Sequence, residues 1–297
     1  MAEYVLSCES TVDLNKEYFD ERHIDVICFH YSLDGVEHVD DFGKTISYHD
    51  FYQAMAQDKM TKTSQISVGE FIEHFTPILQ SGKDILHLTL SSGISGVYNS
   101  ACTAASMLQE QFPERKIYIV DSLAASSGFG LLIDKLADVR DSGADIDALH
   151  AYAEEHKLEL QHWFFSTDLK YYVRGGRISK ASGVLGGLLN ICPVLHVDEN
   201  GKLIPMEKKV GHRMAEKSLV NKMKMYAADG LDYSDKVYIS CSDCYDYANS
   251  VAKMVEETFP KMKGKVEIFS IGTTIGAHTG PGTVALFFWG KKRAASN

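Results

Sequence analysis

The chain has 297 residues, 45% of them hydrophobic and 24% charged, values of a globular protein with room for a large core. A formal net charge of −10 argues against a general nucleic-acid binder, which wants a basic face. No signal peptide and no run of ~18 apolar residues is visible, and the six cysteines, mostly inside apolar segments, read as reduced thiols of a cytoplasmic protein.

Tyr4 to Ser7 reads as a first strand, and Glu9-Ser-Thr-Val-Asp13 caps a short helix from Leu14 to Arg22. Asp25 to Tyr31 is a second apolar strand, followed by the turn signal Asp34-Gly35. Tyr48 to Gln57 has helical spacing, and Thr61 to Ser67 reads as a polar hinge. Ser67-Val-Gly-Glu70 has capping-box spacing for a helix over Val68 to Gln80. Asp84 to Leu90 is a buried strand, and Ala101 to Gln111 is a helix with Ser95 at its N-cap position. Lys116 to Val120 is a strand ending in Asp121-Ser122, and a helix follows near Gly128 to Arg140.

Asp145 to Lys157 reads as a charged connector helix and Gln161 to Ser166 as a strand. A short helix, Asp168 to Val173, stops at Gly175-Gly176; an apolar, Gly-rich helix from Ile178 to Leu189 could line a tunnel. Ile191 to Val197 and Lys202 to Val210 form a hairpin around Asp198-Glu-Asn-Gly201. Helices over His212 to Ala228 and Asp246 to Phe259 alternate with strands over Lys236 to Cys241 and Lys265 to Ile271. The loop Gly276 to Gly282 leads into a last strand, Thr283 to Trp289, and residues 291–297 read as a disordered tail.

Strand, polar end, helix, strand is the rhythm of a parallel α/β sheet, whose ligands lie beyond the carboxyl ends of the strands. Ser7, Ser91, Ser95 and Ser122 all fall at such ends. The stretch Leu90 to Ser100 joins a buried strand to a helix through Ser and Gly residues. Free N–H groups, a helix dipole and hydroxyls make that an anion site, suited to a carboxylate or a phosphate. An ordinary capped turn is the competing reading.

Gly93-Ile-Ser95-Gly96-Val97 misses the esterase elbow because its second Gly comes one residue early, yet a serine hydrolase using Ser95 and His278 stays an alternative. Gly128-Phe-Gly130 begins a dinucleotide fingerprint that Ile133 ends, and no phosphate-binding P-loop is present. Cys241-Ser-Asp-Cys244 has redox or half-zinc spacing, but no second pair completes a zinc site, so no metal is expected. Thr63-Ser64-Gln65 and Ser95 can supply neutral donors to one carboxylate, with His278 orienting them or donating as well. Lys170, Arg174, Arg177 and Lys180 form a basic cluster, either compensating a helix C-terminus or docking an acidic partner or a phosphate.

Thr63-Ser64-Gln65, Ser91-Ser-Gly-Ile-Ser-Gly-Val-Tyr98, Asp121-Ser122, Arg174-Gly-Gly-Arg-Ile-Ser179 and Gly276-Ala-His-Thr-Gly-Pro-Gly282 occur in the order of the DegV family. Over about residues 3–290 the chain resembles a DegV-type bacterial fatty-acid-binding protein, the acyl-carrying subunit of fatty acid kinase. The resemblance implies two α/β subdomains, at 1–158 with a mostly parallel sheet flanked by helices and at 159–290 with a mixed sheet, and a long-chain fatty acid such as palmitate between them. It implies no catalysis and no cofactor in this chain, and a carboxylate held by Thr63, Ser95 and His278, with Ser64, Ser92 and Gly96 as secondary head-group candidates. A kinase subunit, docked near Arg174 and Arg177, would phosphorylate the fatty acid to an acyl phosphate for phospholipid synthesis, with at most transient membrane contact. An acyl-sensing regulatory module is a further alternative. Ile66 and Gly93-Ile94 depart from the family pattern without removing a proposed ligand.

Overall fold

The computed structural model describes residues 3–179 and 190–294. In chain order its elements are β1 (Tyr4–Glu9), α1 (Lys16–Glu21), β2 (Asp25–Ile27), β3 (His30–Leu33), β4 (Val36–Val39), α2 (Tyr48–Ala56), β5 (Thr61–Ser64), α3 (Val68–Gln80), β6 (Asp84–Thr89), α4 (Val97–Gln111), β7 (Ile117–Asp121), α5 (Ser126–Asp141) and α6 (Ile146–His156). There follow β8 (Leu160–Ser166), α7 (Lys170–Arg174), β9 (Ile191–Val197), β10 (Leu203–Val210), α8 (His212–Tyr226), β11 (Val237–Cys241), α9 (Tyr245–Thr258), β12 (Val266–Ser270), α10 (Thr273–Thr279) and β13 (Thr283–Trp289).

Three sheets result, in an α/β architecture. The first is parallel, in the order β2-β1-β6-β7. Its strand order reverses between β1 and β6, so their carboxyl ends border a crevice. A small antiparallel sheet, β4-β3-β5, sits beside it. The third is mixed, in the order β10-β9-β8-β13-β11-β12, with β11 and β12 parallel and the other neighbours antiparallel.

The apolar run 25–31 is two strands, not one. β2 pairs with β1, whereas β3 joins the small sheet. Between them the Phe29 N–H donates to Ser10 Oγ at 3.1 Å, and the Phe29 carbonyl accepts from Asp40 N–H at 2.9 Å. Asp34 and Gly35 both have positive φ, and the hairpin they close adds β4. Thr61 to Ser64 is a strand rather than a hinge, because β3 supplies its ladder partners. The Gly276–Gly282 loop is in part helical, since α10 reaches Thr279. α4 begins at Val97 with Gly96 at its N-cap, so Ser95 precedes the cap. The capping box of Ser67 and Glu70 opens α3 as its spacing predicts.

Residues 291–294 are not a disordered tail. Arg293 is buried, and its guanidinium donates to the carbonyls of Leu123, Asp198 and Lys157. The tunnel-lining helix expected over 178–189, and Lys180 of the basic cluster, lie outside the described residues apart from Ile178 and Ser179. Among the described residues no helix is long and apolar enough to cross a membrane.

Helix α5 is the shared core of the two larger sheets. Residues 126–134 of α5 are buried throughout. The first sheet reaches it through the turn after β1, and Val12 and Leu14 of that turn leave no room beside Gly130. The mixed sheet reaches it at Gly128, where a Cβ would lie 2.4 Å from His162 Nε2 and 2.5 Å from Phe287 Cδ1. Gly128→Ala should therefore cost ~1–3 kcal/mol through overpacking. A urea titration should show a lower midpoint with an unchanged slope.

Candidate functional site

A cavity of about 420 Å³ opens between the carboxyl edge of the first sheet, one face of the mixed sheet, and α10. The mixed sheet contributes by simple alternation. Phe164 stands opposite Ala285, and His162 opposite Phe287, all four on the cavity side. Their neighbours Trp163 and Phe165 face the other way, against Tyr226 and Tyr247 of α8 and α9. Phe29, Leu90, Ile94, Ala125, Ile271 and Ile275 complete an apolar wall.

The polar groups gather at Thr63, Ser64, Gln65, Ser95, Arg177 and His278. Thr63 comes from β5 and His278 from the last turn of α10. Thr63 Oγ1 and His278 Nε2 are 2.8 Å apart, joining positions 215 residues apart. Burial, and then the Arg177 guanidinium, pull the His278 pKa down to about 4, so the ring is neutral near pH 7. Its Nδ1 is buried without a partner and faces Gly175, where a Cβ would lie 2.2 Å away. A hydrogen on Nδ1 would be unsatisfied, so the hydrogen belongs on Nε2, which donates to Thr63 Oγ1. The Thr63 hydroxyl hydrogen is thereby left for a ligand acceptor.

Ser95 lies in the turn after β6, its N–H donating to Ser91 O at 3.1 Å and its Oγ accepting from Val97 N–H at 3.2 Å. The hairpin between β9 and β10 seats this turn. Ser91 Oγ donates to Gly201 O at 2.9 Å, and a Cβ on Gly93 would come within 2.5 Å of Asn200 O. That contact explains the Gly at 93.

The remaining candidates divide. Ser64 lines the cavity, whereas Ser92 and Gly96 are exposed and lie off its lining. Ser92 uses its N–H on Asp121 Oδ1 at 3.1 Å. Arg174 is exposed, its guanidinium over the Tyr171 ring. Arg177 is half-buried on the cavity wall, its Nε donating to Ile94 O at 3.1 Å and Nη1 to Gly175 O at 2.6 Å. Sequence reasoning places Arg177 at a helix C-terminus or a docking surface, not on a cavity wall. Its place beside Gly175-Gly176, whose backbone folds it back, is the signal for a site role. Tyr172 and Thr283, joined at 3.1 Å, also line the cavity and carry no motif of their own.

No hydrogen bond among the described residues joins Ser95 to His278, and no carboxylate orients the imidazole, so a Ser–His nucleophile pair is not assembled. Among the described residues no group of three or more His, Cys, Asp or Glu could hold a metal ion.

A family model described as "Uncharacterised protein, DegV family" matches residues 6–291. The chain belongs to the DegV family. A DegV domain-containing protein of Clostridium perfringens is 33% identical over 98% of both chains. A solved Thermotoga maritima structure, described as revealing fatty acid binding function, shares 26% identity and a TM-score of 0.82, covering 98% of this chain and 100% of its own. In fold alone the chain also resembles the Streptococcus pneumoniae Fatty Acid Kinase (Fak) B3 protein loaded with linoleic acid, at 20% identity and a TM-score of 0.83, covering 97% of this chain and 100% of that one.

In this DegV protein the neutral state of His278 has a stability signature. The folded pKa of about 4 lies below the ordinary 6.5, so the unfolded chain binds the proton first as pH falls. Stability tied to His278 is full above about pH 6.5 and is lost between there and about pH 4. His278→Gln keeps a donor for Thr63 and removes the titration. Its loss of stability from pH 7 to pH 5, read by urea unfolding at each pH, should be smaller than that of the unsubstituted chain.

Proposed function

We propose that this protein holds one long-chain fatty acid, of the palmitate class, in the cavity, with its carboxylate at Thr63, Ser95 and His278. The carboxylate is presented to a partner kinase subunit, which phosphorylates it to an acyl phosphate in the cytoplasm. This chain binds and orients but does not catalyse. With a division at 158/159, the acyl chain lies between the two subdomains.

The observation that carries the reading is an apolar cavity with the neutral hydroxyls of Thr63 and Ser95, the first held by the neutral His278, beside the half-buried cation Arg177. Hydroxyls, one of them oriented by an uncharged imidazole, bind a carboxylate without neutralising it in a closed ion pair, so an oxygen stays reactive toward phosphate. Burying about 14 methylenes at ~0.8 kcal/mol each is worth roughly 11 kcal/mol before association costs. The tail therefore dominates affinity and the head group sets orientation. Exposed Arg174 and half-exposed Arg177 supply positive charge for the partner in an acidic protein. A volume of about 420 Å³ lies in the ~300–1,000 Å³ range of small-molecule sites.

Native mass spectrometry of the protein purified from bacteria, followed by denaturing extraction, tests the ligand. A mass excess released as a fatty acid supports the reading, and a chain that stays empty after incubation with fatty acids overturns it. Thr63→Val and Ser95→Ala should each weaken binding by ~1 kcal/mol, about five-fold, without lowering stability as much. The kinase step is tested by mixing the loaded protein with the partner kinase and ATP and trapping acyl phosphate with hydroxylamine. Hydroxamate should form with the unsubstituted chain and fall with Arg174→Ala. A loaded protein that captures a partner yielding no hydroxamate would instead be the acyl-sensing module.

A further inference from the structure

The cavity has a floor, and the pairing of β8 with β13 locates it. Three cross-strand rows stand on the cavity face: Ser166 with Thr283, Phe164 with Ala285, and His162 with Phe287. The next row on that face, Leu160 with Trp289, falls outside the lining among the described residues. Helix α5 covers it instead, with Lys135 Nζ over the Trp289 ring at 5.9 Å. Thr283 marks the head-group end, because its Oγ1 lies 3.4 Å from the carbonyl of Thr279, the neighbour of His278. His162 and Phe287 close the opposite end. From Ser166 to His162 is about 13 Å of extended strand. That depth takes about ten methylenes of an extended chain, ~1.25 Å apart along its axis.

The floor is held on three sides. The rings of His162 and Phe287 meet in a T-shape at a centroid distance of 5.2 Å. His162 Nδ1 lies 3.2 Å from Leu160 O, and a carbonyl only accepts, so the ring hydrogen is on Nδ1. Burial, and after it the Arg293 charge, hold the ring pKa well below its ordinary value, so the imidazole is neutral and sets no charge against a chain end. Both rings use the space that the missing side chain of Gly128 leaves. A Cβ there would come 2.4 Å from His162 Nε2 and 2.5 Å from Phe287 Cδ1. Helix α5 therefore backs the floor and sets its height.

We propose that His162 and Phe287 are the specificity-determining residues for acyl length, the floor on which the methyl end of the chain stands. The inference rests on the fatty-acid reading of the cavity and adds which chains fit it. Each methylene that fits buries more apolar surface, worth about four-fold in affinity. The first that does not fit must displace two rings wedged against α5, where close packing leaves no slack. Affinity for saturated acids therefore climbs with length to one optimum and falls beyond it.

The test is competitive native mass spectrometry of the delipidated full chain with an equimolar series of saturated acids from dodecanoic to eicosanoic. The unsubstituted chain should select one length, near hexadecanoic acid, and prefer it by at least about ten-fold over eicosanoic acid. His162→Ala opens the floor and should move the optimum up by about two to four carbons. Gly128→Ala pushes both rings toward the cavity and should move the optimum down. Should His162→Ala fail to fold, Phe287→Leu lowers the other half of the floor and carries the same upward prediction. An optimum that none of these variants moves would overturn the floor and leave the fatty-acid reading intact. So would an unsubstituted chain that binds eicosanoic acid as well as hexadecanoic acid. An unsubstituted chain that binds no acid of the series would overturn both.

Discussion

The buried carboxylate of Asp13 holds the architecture in register. One oxygen accepts from Ser126 Oγ at 2.5 Å, at the start of α5, and the other from Gly272 N–H at 2.9 Å, at the start of α10. Asp40 adds to the same cluster, accepting from Thr273 Oγ1 at 2.7 Å and from Thr274 N–H at 3.3 Å. Burial drives the Asp13 pKa well up, and the nearby Asp40 charge raises it further, so the site is costly to form. Its return is connectivity. The turn after β1, the helix shared by the sheets and the helix carrying His278 meet at one residue. Negative charge at the start of α10 also suits the dipole of that helix.

The cavity follows from that junction. With α10 anchored at its first turn, His278 at its last turn has a set height above β5, and Thr63 meets it. The Ser91–Gly93 turn is seated in turn by the β9–β10 hairpin, where glycines at 93 and 201 allow backbone and Ser91 to approach closely. The polar cluster on the cavity wall is thus set by contacts between segments distant in sequence. The apolar wall has a simpler origin, because alternate residues of β8 and β13 present a ready-made strip to whatever lies between the sheets.

Arg177 shows how a motif can be found while its direction stays hidden. A Gly-Gly turn between two arginines in an acidic chain invites a surface role for both, and Arg174 is indeed exposed. The left-handed Gly176 bends the chain so that Arg177 returns to bond Ile94 O and Gly175 O on the cavity wall. The charge was legible in the sequence, but its direction depends on a carbonyl more than eighty residues away. Ser92 and Gly96 show the reverse case. Both belong to the Leu90–Ser100 stretch read as an anion site, yet a turn has two sides, and theirs faces outward.

What the sequence by itself determined is the part governed by short windows. Most strand and helix positions, the Ser67–Glu70 capping box and the Asp34-Gly35 hairpin were readable, because periodicity, capping and turn chemistry act within a few residues, and Thr63, Ser95 and His278 could be named as candidates. What only the tertiary structure decided is the part governed by partners. The apolar run 25–31 leaves one sheet for another at Phe29, Thr61 to Ser64 becomes a strand only beside β3, and Arg293 is buried only because carbonyls from three distant segments accept its hydrogen bonds. The reason is physical. A backbone N–H or a buried charge must find an acceptor, and where that acceptor comes from is fixed by long-range packing rather than by neighbouring side chains.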